Sequence, residues 1–286
     1  YKNFKTWDLG DIIGVTGKLF KTNTDELTVE AHSIVLITKA LRPMPEKHKG
    51  LADIETRYRQ RYIDLMSNPE SKAIFVKRSN IIAAVRSTML QDGFLEVETP
   101  MMHSIPGGAV AKPFITHHNA LDRELFLRIA PELHLKRLLV GGFEKVFEIN
   151  RSFRNEGLST RHNPEFTMLE FYAAFATFQG TIDFTTRIIQ SASEAIGNSA
   201  QIEWDGDQID LTSFHTKTLA ELVLAENADL SNEDLSNIET LRTYASDQKI
   251  SYKDSWGAGK ILLEIFEKTV EPKLIQPTFV TEYPVE

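Results

Sequence analysis

The residues best suited to chemistry lie in one stretch, Phe153–Phe166, which reads FRNEGLSTRHNPEF. Side chains two residues apart share a face of a strand, so Arg154 and Glu156 point the same way at the end of an incoming strand. One face of the strand that follows carries Phe166, Met168, Glu170 and Tyr172. A guanidinium beside a flat aromatic ring and a carboxylate can hold a phosphate and a base together. The pattern therefore indicates a phosphate or nucleotide site on a hairpin.

A plain structural interpretation of this hairpin also stands. Taken singly, each residue is typical of a solvated hairpin with one cross-strand ion pair and a surface aromatic ring. Glycine, asparagine and proline in the loop, with Arg161 and His162 at its far side, are typical of a segment that covers a ligand. Spacing alone leaves both interpretations open.

The elements that must position this hairpin mix helices and strands without a regular βαβ alternation. Apolar residues recur near the 3.6 period from Ser71 to Gln91, which predicts a helix. A strand is predicted over Phe94–Glu98 and a helix from Pro131 to about Val140. The hairpin strands are predicted over Lys145–Arg154 and Glu165–Phe175. These elements favour an α+β fold, with an antiparallel sheet flanked by helices.

The flanking regions differ in character. Two strands are predicted at the N-terminal side, over Asp11–Thr22 and Glu26–Thr38, joined by turn residues. Leu41–Leu65 is predicted to be a polar connector, and its second half interleaves arginine and tyrosine. Beyond the hairpin, the predicted elements are helices at Ile182–Ile196, Thr218–Glu226 and Lys260–Lys268 and a strand at Thr278–Thr281.

Composition excludes several classes of protein. No apolar run among the 286 residues reaches the length of a membrane span, and the absence of cysteine excludes disulfides, thiolate zinc sites and cysteine nucleophiles. The net charge of −8 is uneven, because residues 201–286 hold 7 Lys and Arg against 17 Asp and Glu. The acidity therefore lies outside the hairpin and says little against a nucleic-acid partner. With no signal-peptide pattern and Tyr1 as its first residue, the chain is expected to be part of a longer cytoplasmic protein.

The motifs, taken in order, resemble those of a known family. The hairpin is similar to motif 2 of the class II aminoacyl-tRNA synthetases, and the helix followed by Gly93–Pro100 is similar to motif 1, which in that class builds the dimer interface. Within the class the chain resembles the bacterial lysyl-tRNA synthetases over nearly its whole length. The further segments that carry this resemblance are Gly107–Ala109, Pro113–Phe114, His118–Leu121 and Leu127–Leu133.

The resemblance implies roles in binding ATP. Arg154 would bridge the α-phosphate and the substrate carboxylate, and it is the implied catalytic residue. Phe166 would stack on adenine, Glu156 would accept from the adenine amino group, and His162 would lie near the outer phosphates. The plain alternative for each of these residues is a place on a surface hairpin.

The resemblance also implies a lysine site. Glu170 and Tyr172 would take the ε-ammonium group, which needs a carboxylate partner when buried. Gly108 and Glu132 would meet the α-amino group. The plain alternatives are a helix N-terminus complemented by Glu132, a core position for Tyr172 and a turn for Gly108.

The implied domains are the last strands of an OB-type anticodon-binding barrel in 1–40, a linker in 41–65 and an incomplete catalytic domain in 66–286. A helical acidic segment occupies about 181–275. The family's motif 3, its later lysine-selecting glutamate and its acidic magnesium ligands have no counterpart here and are expected beyond Glu286, so no metal ligand is predicted within the chain. The fragment alone is expected to be inactive.

The implied activity is that of a lysine–tRNA ligase, which uses ATP and Mg²⁺ to activate L-lysine and transfers it to the 3′ end of tRNA(Lys). A homodimer through about 71–100 and a cytoplasmic location follow from the same resemblance. Two alternatives remain open. One is the related enzyme that attaches a lysine-type group to elongation factor P, and the other is an inactive module that serves dimerisation or binding.

Overall fold

The chain was examined as a computed structural model that describes residues 3–42, 44–45, 51–159, 162–197 and 201–285. It divides into two compact units, Tyr1–Lys77 and Arg78–Glu286. The division falls inside the helix α3, Pro69–Gln91, close to the predicted span of Ser71–Gln91. The functional domains expected at 1–40, 41–65 and 66–286 stay a prediction. No helix in the described ranges is long and apolar enough to cross a membrane.

The first unit contains the predicted N-terminal hairpin. Strand β1 (Ile12–Lys21) pairs antiparallel with β2 (Leu27–Thr38), which confirms the prediction of two strands and a turn. Large apolar side chains stay exposed along this ribbon, among them Leu19, Val35 and Ile37. A two-stranded ribbon with exposed apolar side chains gains little stability from burial within itself.

The predicted polar connector at 41–65 is wrong as a description of its second half. Helix α1 spans Ile54–Arg59 and helix α2 spans Arg61–Ser67. The side chain of Asp53 caps α1 by accepting from the backbone N–H of Thr56 at 2.9 Å. An aspartate at this position satisfies a backbone donor that the first helical turn leaves free.

A buried carboxylate explains why this polar sequence is ordered. Asp64 is fully buried and accepts hydrogen bonds from Arg57 Nε at 2.7 Å and from Asn68 Nδ2 at 2.7 Å, and it also contacts Arg61. Hydrogen bonding by the Asn68 amide and the two arginines holds the pKa of Asp64 far below its usual range, against the effect of burial. Arg57 and Arg61 thus both bind the buried carboxylate of Asp64. The periodicity of apolar residues does not reveal such a polar contact.

The second unit contains the remaining elements. After α3 the described helices are α4 (Glu132–Val140), α5 (Phe178–Glu194), α6 (Leu219–Glu226), α7 (Ile238–Asp247) and α8 (Ala258–Thr269). The described strands are β3 (Leu95–Glu96), β4 (Met102–His103), β5 (Ile115–His118), β6 (Arg123–Leu127), β7 (Lys145–Phe153), β8 (Glu165–Ala173), β9 (Gln201–Trp204), β10 (Asp207–Asp210), β11 (His215–Thr218) and β12 (Thr278–Thr281). This mixture confirms the α+β class.

The predicted hairpin is the centre of a small sheet with the order β3-β7-β8. β7 and β8 pair antiparallel over their full length, as predicted, whereas β3 joins β7 in parallel. The predicted strand at Phe94–Glu98 pairs only over two residues. A second three-stranded sheet, β4-β6-β5, is antiparallel.

One face of the β7–β8 sheet is covered by α3 and α5. Its buried apolar side chains meet those of the two helices and of the turn that ends α3. The members with the least exposure are Met89, Phe94, Phe147, Phe184 and Ile188. Leu169 and Phe171 of β8 pack on this cluster, which confirms that they face the core. The alternate residues of β8 therefore face the opposite side, where the candidate site lies.

The C-terminal part has its own core. Helices α6, α7 and α8 surround buried side chains that include Val223, Leu241 and Ile265, and Val280 of β12 packs against them. Helix α7 and strands β9, β10 and β11 were not expected from the sequence, and β11 pairs with β12 in parallel. The region 181–275 is thus not wholly helical.

Truncation of the core is expected to be costly. Phe147→Ala removes a ring that is fully buried between α3 and α5, so the free energy of unfolding should fall by about 3–5 kcal/mol. Denaturant titration of the chain measures this change. Phe175→Ala, which truncates a ring that is 98% exposed, is the control and should change it by less than about 0.5 kcal/mol. Equal losses in both variants would contradict this assignment of the core.

Candidate active site

A cavity of about 420 Å³ lies at the loop end of the β7–β8 hairpin. Its described lining residues are Arg154, Glu156, Gly157, His162, Asn163, Pro164 and Phe166. All four residues expected to bind ATP are in this set.

Arg154 is the best-positioned cation of the cavity. Its backbone N–H donates to the carbonyl of Pro164 at 2.9 Å, which continues the β7–β8 pairing by one step beyond the strand. Its guanidinium carbon lies 5.2 Å from the centre of the Phe166 ring. The Nε of Arg154 is buried and finds no acceptor among the described residues. A buried donor without an acceptor is costly, so this atom indicates a place for an anion.

The loop holds the other two ATP-binding candidates. The hydroxyl group of Ser159 lies 2.8 Å from Nδ1 of His162, and the backbone N–H of His162 donates to the same hydroxyl at 3.1 Å. These bonds fix the imidazole at the rim of the cavity. Glu156 also lines the cavity and is exposed. Arg161, expected at the far side of the loop, lies outside the described residues.

The four residues expected to bind lysine form a second group. The hydroxyl of Tyr172 donates to Oε1 of Glu170 at 2.9 Å, and both residues lie on the face of β8 that carries Phe166. Gly108 has φ of +89°, and a Cβ there would lie 3.0 Å from Cβ of Glu132. A larger residue at Gly108 would therefore press against Glu132. None of these four lines the cavity around Arg154.

Helix α4 links the Gly108–Glu132 pair to the Glu170–Tyr172 pair. Glu132, in the first turn of α4, forms an ion pair with Lys136, whose Nζ lies 2.5 Å from Oε1. The same Nζ lies 5.7 Å from the centre of the Tyr172 ring. Lys136 was not among the candidates from the sequence, although its spacing of four residues from Glu132 is the signal of such a pair on a helix.

The electrostatics of the second group favour a cation. Burial raises the pKa of Glu170 above its ordinary value, and the nearby charges of Glu132 and Glu148 raise it further, against the hydrogen bond from Tyr172 and the charge of Arg128. Burial and the hydrogen bond to Glu170 likewise raise the pKa of Tyr172. A carboxylate in such surroundings gains from an ammonium group that neutralises it.

This pKa shift predicts a pH-dependent change in stability. The folded chain holds a proton on Glu170 more tightly than the unfolded chain does, so the stabilisation is complete below pH 4.5 and is lost as the pH rises through the raised pKa. Glu170→Gln removes this titration. We expect the Tm of the variant to exceed that of the unmodified chain at pH 7.5, and the difference to shrink toward pH 4. A constant difference at both pH values would contradict the assignment.

The sequence also did not reveal Arg128 and Glu148. They form an ion pair of 2.8 Å beneath the second group, with at most 1% of either side chain exposed. Glu148 lies directly opposite Glu170 in the pairing of β7 and β8, and the sequence pattern does not give this register.

The described residues include no group of three or more histidine, aspartate or glutamate side chains that could hold a metal ion. We therefore assign no metal ligand to them.

The family model for class II tRNA synthetases (D, K and N) matches residues 53–286. The chain belongs to this family. The match covers both strands of the hairpin, the cavity and the lysine-site candidates, and it begins just before α1.

The curated relatives that match the chain include several lysine–tRNA ligases. The chain is 55% identical over 287 aligned residues to a lysine–tRNA ligase of Xanthomonas axonopodis pv. citri, and 55% identical to that of Thiobacillus denitrificans; each alignment covers all of this chain and 57% of the relative. A lysine–tRNA ligase of Legionella pneumophila (strain Lens) is 53% identical, with 58% of its length covered. This class II synthetase chain thus spans less than three fifths of these relatives.

Proposed function

We propose that the chain is part of a lysine–tRNA ligase, which activates L-lysine with ATP to lysyl-adenylate and then transfers the lysyl group to the 3′ end of tRNA(Lys). One observation carries the proposal. One face of β8 carries both Phe166 and Glu170. The ring of Phe166 lies beneath Arg154, whose buried Nε has no acceptor among the described residues. Glu170 has no cationic partner among the described residues. A nucleotide phosphate fits the Arg154 end of this face and an ammonium group fits the Glu170 end.

The ATP end uses the loop cavity. Adenine stacks on Phe166, and its amino group donates to Glu156 at the rim. Arg154 binds an α-phosphate oxygen and a carboxylate oxygen of lysine, because a guanidinium has donors for two anions at once. His162 lies beside the outer phosphates. These assignments rest on the grouping of all four residues around one cavity.

The lysine end uses the group next to it on the sheet. Glu170 accepts from the ε-ammonium, and Tyr172 holds that carboxylate in place through their 2.9 Å hydrogen bond. Glu132 accepts from the α-ammonium beside Gly108, where any side chain would press against Glu132 and disturb its position. Lysine bound at both ends directs its carboxylate toward Arg154.

The reaction then needs position and charge stabilisation more than a protein nucleophile. A carboxylate oxygen of lysine attacks the α-phosphorus, and the bond to the bridging oxygen breaks as pyrophosphate leaves. Arg154 stabilises the negative charge that builds on the α-phosphate oxygens. A ribose hydroxyl of the tRNA then attacks the lysyl carbonyl and AMP leaves. ATP is proposed to act with Mg²⁺, and no step is assigned to the metal because the described residues offer it no cluster of ligands.

The remaining partners follow from the same proposal. We propose a homodimer through about 71–100, where Ile74, Phe75, Leu90 and Leu95 expose apolar side chains that a second copy can bury. Residues 1–40 are proposed to be strands of an OB-type anticodon-binding barrel, since their ribbon also exposes apolar side chains. A cytoplasmic location is proposed because the tRNA substrate is used there.

Transfer of labelled lysine tests the proposal against its nearest alternative. The protein used is the completed polypeptide, which carries residues 1–286 and is extended at both ends to the length of the relatives. We expect ATP-dependent labelling of tRNA(Lys) and none of elongation factor P. Labelling of the protein factor alone would assign the chain to the related modifying enzyme, and labelling of neither would favour an inactive binding module.

A further inference from the structure

Beneath the proposed lysine site lies a buried ion pair that the reaction described above does not use. Nη1 of Arg128, which directly follows β6, donates to Oε1 of Glu148 on β7 at 2.8 Å. Arg128 is 0% and Glu148 1% exposed, so water does not screen these charges. Buried charges of this kind act on their neighbours far more strongly than surface charges do.

The two side chains are held by fixed partners. Glu148 accepts from the hydroxyl of Thr99 at 2.6 Å and from Nδ2 of Asn150 at 3.1 Å. Nε of Arg128 donates to the carbonyl of Arg151 at 2.8 Å. Neither charge can move far without breaking these bonds. The pair is therefore a fixed source of two opposite charges within the sheet.

This source lies directly beside Glu170. Glu148 and Glu170 are opposite each other in the antiparallel pairing of β7 and β8, so their side chains share the face of the sheet that carries the proposed lysine site. Directly opposed residues have Cβ atoms about 5 Å apart. Two carboxylates at this distance disfavour each other's ionisation unless a cation compensates one of them. Arg128 is the cation that compensates Glu148.

We propose that Arg128 and Glu148 are positioning residues for lysine, whose buried ion pair cancels the charge beside Glu170 and so leaves one uncompensated carboxylate for the ε-ammonium. The inference rests on the proposed function, because it concerns the same amino-acid site. The direction of the neighbouring charges agrees with it. Burial and the charges of Glu132 and Glu148 raise the pKa of Glu170, whereas the hydrogen bond from Tyr172 and the charge of Arg128 lower it.

Substitutions that break this pair from opposite sides have opposite electrostatic consequences. Glu148→Gln leaves the positive charge of Arg128 alone, which repels the ε-ammonium and favours ionisation of Glu170. Arg128→Met leaves the negative charge of Glu148 alone, which attracts the ammonium but disfavours ionisation of Glu170. A role confined to holding the fold predicts that the two variants resemble each other.

The experiment measures lysine-dependent ATP–pyrophosphate exchange by the completed polypeptide from pH 5 to pH 9. For Glu148→Gln we expect the KM for lysine at pH 8 to rise about tenfold. On the acid side of the plot of 1/KM for lysine against pH (the acid limb), the midpoint should shift to a pH lower by about one unit. The KM for ATP should stay within about twofold of the unmodified enzyme. Arg128→Met should move the acid limb upward.

The double variant Arg128→Met/Glu148→Gln keeps the test decisive if Arg128→Met does not fold. It buries no unpaired charge, so it is the more stable of the two variants that lack Arg128. Because the local charge is again zero, the acid limb and the KM for lysine should return close to those of the unmodified enzyme.

An unmoved acid limb in Glu148→Gln, or a limb that stays displaced in the double variant, would overturn the inference. Failure of the unmodified enzyme to show any lysine-dependent exchange would instead overturn the proposed function. The two failures are therefore distinguishable in one set of assays.

Discussion

Replacing Arg154 by Ala is expected to lower lysine-dependent ATP–pyrophosphate exchange by about a thousandfold or more. The reason is that this guanidinium is proposed to bind both reacting groups, so its loss would remove their alignment and the stabilisation of the α-phosphate charge at the same time. Its buried Nε has no acceptor among the described residues, so little structure depends on it. We expect the Tm to change by about 2 °C or less.

The matched control for this substitution is Arg151→Ala. Arg151 lies on β7 three residues before Arg154, its side chain is 49% exposed, and it forms a long ion pair with Glu165 at 3.6 Å. Exchange by this variant should remain within about twofold of the unmodified enzyme. Loss of folding in Arg154→Ala, measured by circular dichroism, would show that Arg154 is a structural residue and would contradict the account.

The second large effect is expected at Glu170. Glu170→Gln keeps the size of the side chain and the acceptor for the Tyr172 hydroxyl but removes the negative charge. Since the ε-ammonium then enters a partly buried site without a counter-charge, the KM for lysine should rise by about a hundredfold or more. The KM for ATP should change by less than about threefold, because Glu170 does not line the cavity around Arg154 and Phe166 that is proposed to hold the nucleotide.

Glu165→Gln is the control for this charge removal. Glu165 lies at the start of the same strand, is 55% exposed and does not line the cavity. Its loss should leave both KM values within about twofold. An equal rise of the KM for lysine and for ATP in Glu170→Gln would mean that the substitution disturbs the sheet, and would contradict the assignment of the ammonium site.

Glu170→Gln also joins function to stability. The charge that the substrate needs is a charge that burial disfavours in the free protein, as the raised pKa of Glu170 indicates. The same variant is therefore expected to bind lysine poorly and to melt at a higher temperature near neutral pH. A higher Tm without loss of lysine affinity would show that Glu170 does not belong to the lysine site.

The hairpin could be predicted from sequence because apolar and polar residues alternate along β8. This alternation shows which face of the strand packs on the core and which face carries the candidate site. Leu169 and Phe171 identify the core face, and this places Phe166, Glu170 and Tyr172 together on the other face. Helix α3 was likewise predicted from the recurrence of apolar residues along Ser71–Gln91, and it spans Pro69–Gln91. The hairpin itself carries most of the candidate site.

The features that escaped prediction depend on polar contacts between distant segments. Helices α1 and α2 are ordered by the buried Asp64 and its arginine partners, which have no apolar periodicity. The Arg128–Glu148 pair joins residues 20 positions apart, and only the exact register of β7 and β8 places it beside Glu170. A sequence pattern gives neither the register nor the depth of burial.

The most direct test of the central claim is amino-acid-dependent ATP–pyrophosphate exchange by the completed polypeptide, measured separately with each of the standard amino acids. The account predicts strong exchange with L-lysine and only background exchange with the others. Among the described residues, Glu170 has no cationic partner and the buried Nε of Arg154 has no acceptor, so the site can take one ammonium group and one anion. Exchange that depends on a different amino acid, or no exchange with lysine, would contradict it.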